Sequence, residues 1–322
     1  MKNSKIIALL ISLCLIMTGC NRAVLVQKNT EKENVLYLIS LNGSGPYWEP
    51  LLTSAKKQAE ERNYKLIVRC GYPGDSSRPQ KLIEMMQEAI DQRAAGIAFA
   101  ELTPGLLDVK AEEAMKAGIK VITYDIDIKA HDKRNAYVGT NNYEAGLKMG
   151  KKAAQDLINK GVTHGRITTV TYSSSAQNMV DRYEGLKVGF DEVMGDNAKS
   201  FEWCDWIINE LSVSKAKEQL ESQLMNYKDL NVVFTLGTES VIVGTMEAIK
   251  AQNLQGKLYH YAFDYSPTLV KAVDEGLVTG VIAQNSVEIG KTVIDCMADA
   301  VEGKELDDEY PIDVIWIEAK DL

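Results

Sequence analysis

A few side chains, scattered along the chain, have the chemistry to hold a small polar molecule. Asp125 and Asp127 close the apolar run Ile119–Tyr124, and Asp264 closes Leu258–Phe263. An ionised carboxylate only accepts hydrogen bonds, and its two oxygens can take two neighbouring hydroxyls in strong, charge-assisted bonds. Arg182, in Asp181-Arg182-Tyr183-Glu184-Gly185, offers the complementary planar fork of donors. Gln284 follows the run Val278–Ala283 and supplies an amide. Tyr47 and Trp48 are adjacent after Asn42-Gly43-Ser44-Gly45-Pro46, and Trp206 follows Cys204-Asp205. Such rings can cover the C–H face of a sugar and exclude water. Taken singly, each has a plain structural explanation: a hydrophobic staple, a helix cap, a surface ion pair. Together they are the inventory of a monosaccharide site.

The same inventory argues against catalysis. Only His131, His164 and His260 are present, none beside a nucleophile, and no nucleophile elbow or metal-ligand spacing occurs. Asp125 and Asp264 could pose as a glycosidase pair, but no general acid or base has a partner. Gly43-x-Gly45 lacks the third glycine of a dinucleotide loop. The expectation is a non-enzyme with no metal and no cofactor.

The elements that must position these residues follow from periodicity. From Val35 onward, short continuous apolar runs alternate with longer amphipathic ones: Val35–Leu41 then Trp48–Arg62, Lys65–Arg69 then Arg78–Gln92, Gly96–Ala100 then a helix to Lys116, and Ile119–Tyr124. The series restarts after Ala136–Val138, with helices over Asn142–Lys160, Val180–Met194, Lys215–Asn226, Glu239–Gln252, Thr268–Glu275 and Val287–Val301, and a last strand over Ile312–Ile317. Doubly covered parallel strands read this way, so the chain is α/β with two doubly wound parallel sheets. Open parallel sheets bind ligands at the carboxyl ends of their strands, where the residues above stand.

The N-terminus points to export. Lys2 and Lys5 precede an apolar run, Ile6–Met17, then Thr18-Gly19-Cys20. This order is that of a secretory signal, and the run is short of the about twenty apolar residues that span a bilayer. Residues 21–34 form a polar tether. The net charge is −9, and losing Lys2 and Lys5 with a leader takes it to about −11, a sign that argues against nucleic acid and anionic lipid as partners. Cys70, Cys204 and Cys296, odd in number and far apart, read as buried free thiols.

Thr18-Gly19-Cys20 resembles the bacterial lipobox, with Met17 where leucine is usual; the resemblance implies a signal peptide over 1–19, lipidation of Cys20 and a tether over 20–34. From about Val35 to Ile317 the chain resembles the ribose-type periplasmic substrate-binding proteins, the type I solute-binding family that shares its fold with LacI-type repressor cores. Pro46-Tyr47-Trp48, Val121-Ile122-Thr123-Tyr124-Asp125, Asp181-Arg182-Tyr183-Glu184-Gly185, Ala262-Phe263-Asp264, Val281-Ile282-Ala283-Gln284 with Ile289-Gly290, and Pro311-Ile312-Asp313 carry the likeness. It implies an N-terminal lobe of 35–139 plus 285–310 and a C-terminal lobe of 140–284 plus 311–322. A three-strand hinge crosses near Gly139–Thr140, Gln284–Asn285 and Tyr310–Asp313. It implies Tyr47, Trp48 and Asp125 as the first lobe's share of the ligand site, and Arg182, Trp206, Asp264 and Gln284 as the second's. A monosaccharide captured by hinge closure and handed to an ABC importer is the expected function, with signalling to a membrane histidine kinase or chemoreceptor as the alternative. Three departures, Ile126 in place of an arginine, Gly237-Thr238 in place of Asn or Asp, and the longer loop at Gly43-Ser44-Gly45, make ribose itself doubtful. An N-terminal helix-turn-helix, which a repressor would need, is replaced by the export segment.

Overall fold

The structure is a computed structural model that describes residues 34–72, 75–101, 103–237, 239–264 and 267–318. The segment carrying Cys20, the leader and most of the tether lies outside the described residues, as does Thr238. Among the described residues no helix is long and apolar enough to cross a membrane.

The first sheet is built from β1 (Val35–Ser40), β2 (Lys65–Cys70), β3 (Gly96–Phe99), β4 (Lys120–Tyr124), β5 (Ala136–Thr140) and β12 (Glu309–Ile312), in the order β12-β5-β4-β3-β1-β2. Every pairing in it is parallel. Helices α1 (Trp48–Glu61), α2 (Arg78–Asp91) and α3 (Asp108–Lys116) connect its strands, and α9 (Ser286–Val301) packs back onto it against α1, β3 and β4. The second sheet holds β6 (Gly165–Thr171), β7 (Phe201–Trp203), β9 (Leu230–Thr235), β10 (Tyr259–Phe263), β11 (Gly280–Ala283) and β13 (Ile315–Glu318), in the order β13-β11-β10-β9-β6-β7, with β8 (Ile207–Ile208) beside β6. Its helices are α4 (Asn142–Asn159), α5 (Gln177–Met194), α6 (Val213–Asn226), α7 (Glu239–Ala251) and α8 (Pro267–Asp274).

Burial explains why the strands read as unbroken apolar runs. The inner strands β3 and β11 are buried at every position, whereas the edge strands β2 and β12 are not. Helices on both faces leave no wet side for polar alternation.

The expected elements are present with boundaries shifted by a few residues. One assignment is corrected. Ile312–Ile317 is not one strand: β12 ends at Ile312 in the first sheet, and after Asp313-Val314 the chain enters the second sheet as β13, antiparallel to β11. A crossing between sheets cannot be told from a strand by hydropathy, because both sides of it are apolar. Thr140 and Ile312 both belong to the first sheet, one and two residues past the boundaries drawn from the sequence. The thiols are free, but only Cys296 is buried; Cys70 and Cys204 are half-buried.

Three connections run between the sheets, at Thr140–Asn142, Ala283–Ser286 and Ile312–Ile315. The first two enter helices in the same way. Asn141 and Asn285 cap α4 and α9, and their side chains accept from the peptide N–H of Glu144 and Glu288. That satisfies an otherwise orphaned donor and sets where each helix leaves the crossing.

Helices α4 and α5 approach unusually closely. A Cβ at Gly146 or Gly150 would fall 2.0 or 2.2 Å from the carbonyl oxygen of Arg182 or Leu186, and one at Gly185 or Gly189 would fall 2.0 or 2.2 Å from that of Tyr143 or Leu147. Backbone, which cannot rotate away, is the neighbour in each case. Replacing Gly150 by alanine is therefore expected to force the helices apart and to destabilise the second lobe by about 1–3 kcal/mol. The check is the midpoint of urea unfolding followed by circular dichroism; an unchanged midpoint refutes the close approach.

Candidate functional site

The two sheets carry matching acids. Asp125 follows β4 and Asp264 follows β10, each third in its sheet from the edge that returns through the crossing strands. Both adopt a left-handed backbone, with φ of 62° and 82°. The N–H of Asp125 donates to Val138 on β5, and that of Asp264 donates to Ile282 on β11. Aspartate tolerates this region better than most residues because its short polar side chain can bond locally. The conformation lifts each carboxylate off its strand end, and holding a non-glycine residue there costs about 1–3 kcal/mol, strain of the kind that gathers at ligand sites.

Tyr47, at the start of α1, donates its phenol to Asp125 Oδ1 at 2.8 Å. Burial, then the charge of Asp125, holds the Tyr47 phenol well above its ordinary pKa, so it stays a donor. Tyr137 on β5 donates to the backbone carbonyl of Asp125 at 3.0 Å. Burial lifts the Asp125 carboxyl to about 6, the Tyr47 bond works against that, the charge of Asp264 adds to it, and Arg182 lowers it. Asp264 and Arg182, both of the second sheet's side, thus act electrostatically on an acid of the first.

Arg182, on the second turn of α5, is buried. Its Nε donates to Asn142 Oδ1 at 2.9 Å and its Nη1 to the carbonyl of Leu236 at 2.8 Å, while the guanidinium carbon lies 3.7 Å from the centre of the Phe263 ring. Gly237, at φ 135°, makes room for it: a Cβ there would lie 2.8 Å from Arg182 Nη1 and 3.6 Å from Asp264 Oδ2. The glycine that reads as a lost polar contact is the space the guanidinium occupies. Gln284 donates from Nε2 to Asp264 Oδ1 at 2.7 Å and accepts from Thr140 Oγ1 at 2.9 Å.

Asp125, Tyr47, Arg182, Asp264 and Gln284 are thereby linked into one polar cluster where the sheets face each other. Trp48 packs beside it, edge-on to Tyr47 with ring centres 4.9 Å apart. Trp206 lies between β7, which ends before it at Trp203, and β8, with its ring 4.5 Å from that of Tyr183, the residue after Arg182. Asp127 leaves the cluster, bonding Thr123 and the wholly buried side chain of Arg134, which also holds Asp308 at 2.7 Å. Ile126 turns to the first core rather than to the cluster. Tyr137, Thr140, Asn142 and Tyr172 were not singled out from the sequence. Tyr172 directly follows β6 and feels the charges of Arg182, Asp125 and Asp264, so reading every strand end would have found it. Tyr137 lies within a strand, where no rule of position marks it, whereas Asn142 opens α4 two residues after the end of β5, where reading every strand end would have reached it. Among the described residues no group of acids, histidines and cysteines is arranged to hold a metal ion.

Comparison with known proteins fits this geometry. Residues 36–305 match the family model described as periplasmic binding protein domain. The D-allose-binding periplasmic protein of Escherichia coli K12 is 23% identical over 265 residues, which span 80% of this chain and 81% of that protein. Among solved structures, an ABC transporter periplasmic solute binding protein from Actinobacillus succinogenes with bound D-allose has a TM-score of 0.77 at 19% identity, covering 89% of this chain and 98% of that one. A chain of the XylFII-LytSN complex has a TM-score of 0.72 at 24% identity, covering 90% of this chain and 99% of that one. With its two parallel sheets, three crossings and a family match over most of its length, the chain belongs to the periplasmic binding protein domain family and has the type I fold of that family.

Proposed function

We propose that the protein captures a neutral monosaccharide, a pentose or hexose, between its two sheets and presents it to an ABC importer in the membrane, held there through a lipid on Cys20. The observation that carries the sugar reading is the pair of left-handed acids, Asp125 and Asp264, at matching strand ends, with the Arg182 guanidinium close enough for its charge to act on Asp125. Carboxylates that accept, a guanidinium that donates and aromatic rings alongside match the alternating hydroxyl and C–H surfaces of a sugar ring. The names of the similar proteins, which bind D-allose, support the same class. Closure of the lobes about the three crossings exchanges water on these groups for ligand hydroxyls. No residue in the cluster is paired as nucleophile and base, so the reading is of a binder rather than an enzyme.

A second reading, a sugar sensor that signals to a membrane partner, is favoured by one observation: the solved neighbour in which XylFII is in complex with LytSN. Binding assays do not separate the two, whereas co-purification of the lipidated protein with a permease or with a kinase does.

The sugar reading is tested by screening monosaccharides for a rise in melting temperature and a change in tryptophan fluorescence. Trp48 borders the cluster, whereas Trp203 and Trp316 stack on Phe234 and Tyr261 inside the second lobe and should stay silent. At least one pentose or hexose is expected to move both signals, and a broad panel without a response defeats the proposal. Asp264→Asn, which keeps the left-handed backbone accessible, is expected to weaken that sugar by at least a hundredfold in calorimetry.

Asp125 gives a prediction of opposite sign for stability and binding. Its folded pKa of about 6 lies above the unfolded value, so its charge leaves the free protein less stable as pH rises from about 4 to 6. Asp125→Asn should therefore raise the melting temperature of the free protein at pH 7, by an amount equivalent to roughly 1–3 kcal/mol, while abolishing sugar binding. A variant with unchanged or lower melting temperature contradicts the burial of that charge.

Affinity should depend on pH through the same group. Ligand hydroxyls donate to the ionised form, so affinity is expected to be flat above about pH 6 and to fall towards tenfold per pH unit below it. Titration calorimetry between pH 4.5 and pH 8 (a range of about three to four units around the Asp125 value) measures this, and a flat profile removes Asp125 from the ligand.

A further inference from the structure

The first connection between the sheets touches the ligand groups of both lobes. Tyr137 on β5 bonds the backbone of Asp125. Three residues on, Thr140, buried at the last position of β5, donates to Gln284 Oε1, and Gln284 Nε2 donates to Asp264 Oδ1. Two residues further, Asn142 at the start of α4 accepts from Arg182 Nε. Asn141 between them caps α4 and fixes the direction of the helix. One short stretch of backbone thus holds the aim of Asp125, Asp264 and Arg182 together.

We propose that Thr140 and Asn142 are positioning residues, which convert the angle of the hinge into the alignment of Asp264 and Arg182 for ligand. This rests on the sugar-binding reading above and deepens it. Thr140 does not reach ligand itself. Its hydroxyl donates to the amide oxygen of Gln284 while the amide nitrogen donates to Asp264, so the amide is held at both ends and cannot shift away from the carboxylate. Asn142 does the same for Arg182 by fixing Nε, which sets the plane of the guanidinium against the Phe263 ring. The close approach of α4 and α5 brings Asn142 and Arg182 within reach, since a Cβ at Gly146 would fall on the carbonyl of Arg182. Rotation of the lobes bends the backbone at these residues, so alignment of the second lobe's groups and closure become one event.

The test compares Thr140→Val, Thr140→Ser and Asn142→Ala with wild-type protein, using the best sugar from the screen. Thr140→Val keeps the shape and removes the donor; about tenfold weaker affinity is expected, expressed as faster dissociation, in a protein that still folds. Thr140→Ser restores the affinity. In a Gln284→Ala background, Thr140→Val has no further effect, because the bond it breaks is already gone. Asn142→Ala is expected to weaken binding by a similar factor. Affinity of Thr140→Val within twofold of wild type, or equal losses from Val and Ser, overturns the proposal. A crystal structure of the free Thr140→Val protein reads the relay without ligand: Gln284 should leave Asp264, and Gln284 found in place overturns the proposal by itself. A wild-type protein that binds no sugar counts instead against the reading of function.

Discussion

A carboxylate buried without a cation must be held by hydrogen bonds or it takes up a proton. Among the described residues Asp125 has no ion pair; it has the Tyr47 phenol, a backbone tied down by Val138 and Tyr137, and a repulsive neighbour in Asp264. The surrounding structure is arranged to keep that unfavourable group in place. The left-handed turn raises it from the strand, Tyr47 is supplied by the start of α1, and Tyr137 by the neighbouring strand. On the proposed function, free energy spent in holding the acid ready would be recovered when ligand hydroxyls complete its bonds.

The second lobe repeats the device with a different solution. Asp264 has the same backbone conformation and the same bond to the next strand, but its side chain is held by Gln284. The guanidinium of Arg182 lies against Phe263 and bonds neutral oxygens of Asn142 and Leu236. What lets an arginine rooted on a helix arrive there is the glycine contact between α4 and α5, which draws the helix backbones together, and the missing side chain at Gly237. Packing well away from any ligand thus sets the geometry at the site.

The crossings are where core and site meet. Asn141 and Asn285 begin α4 and α9 at two of the three, and Thr140 and Gln284, one residue before each cap, bond each other. The Arg134 side chain, bonded to Asp127 and Asp308, fastens the loop after β4 to the chain about to enter the third crossing. The three crossings are thus tied to one another and to the ends of the elements they join.

Much of this was legible in the sequence because it rests on local patterns. Continuous apolar runs followed by amphipathic spacing gave the strands and helices, and burial on both sheet faces is the reason the runs are continuous. The rule that parallel sheets bind at strand ends led to Tyr47, Asp125, Asp264 and Gln284, all of which join the polar cluster, and to Trp206, whose ring is instead packed on Tyr183. Asp127 and Asp125 look alike in sequence, yet a buried arginine seven residues after Asp127 claims it. Tyr137 carried no signal, and Thr140 and Asn142 were marked only by lying at a crossing, since a side chain reveals its partner only when another segment is folded against it. Residue order by itself determined the two α/β series and the types of group offered at the strand ends. The tertiary structure alone decided which groups meet, because the bonds that aim Asp264 and Arg182 join residues far apart in the chain, and only the crossings and the close approach of α4 and α5 bring them within hydrogen-bond distance.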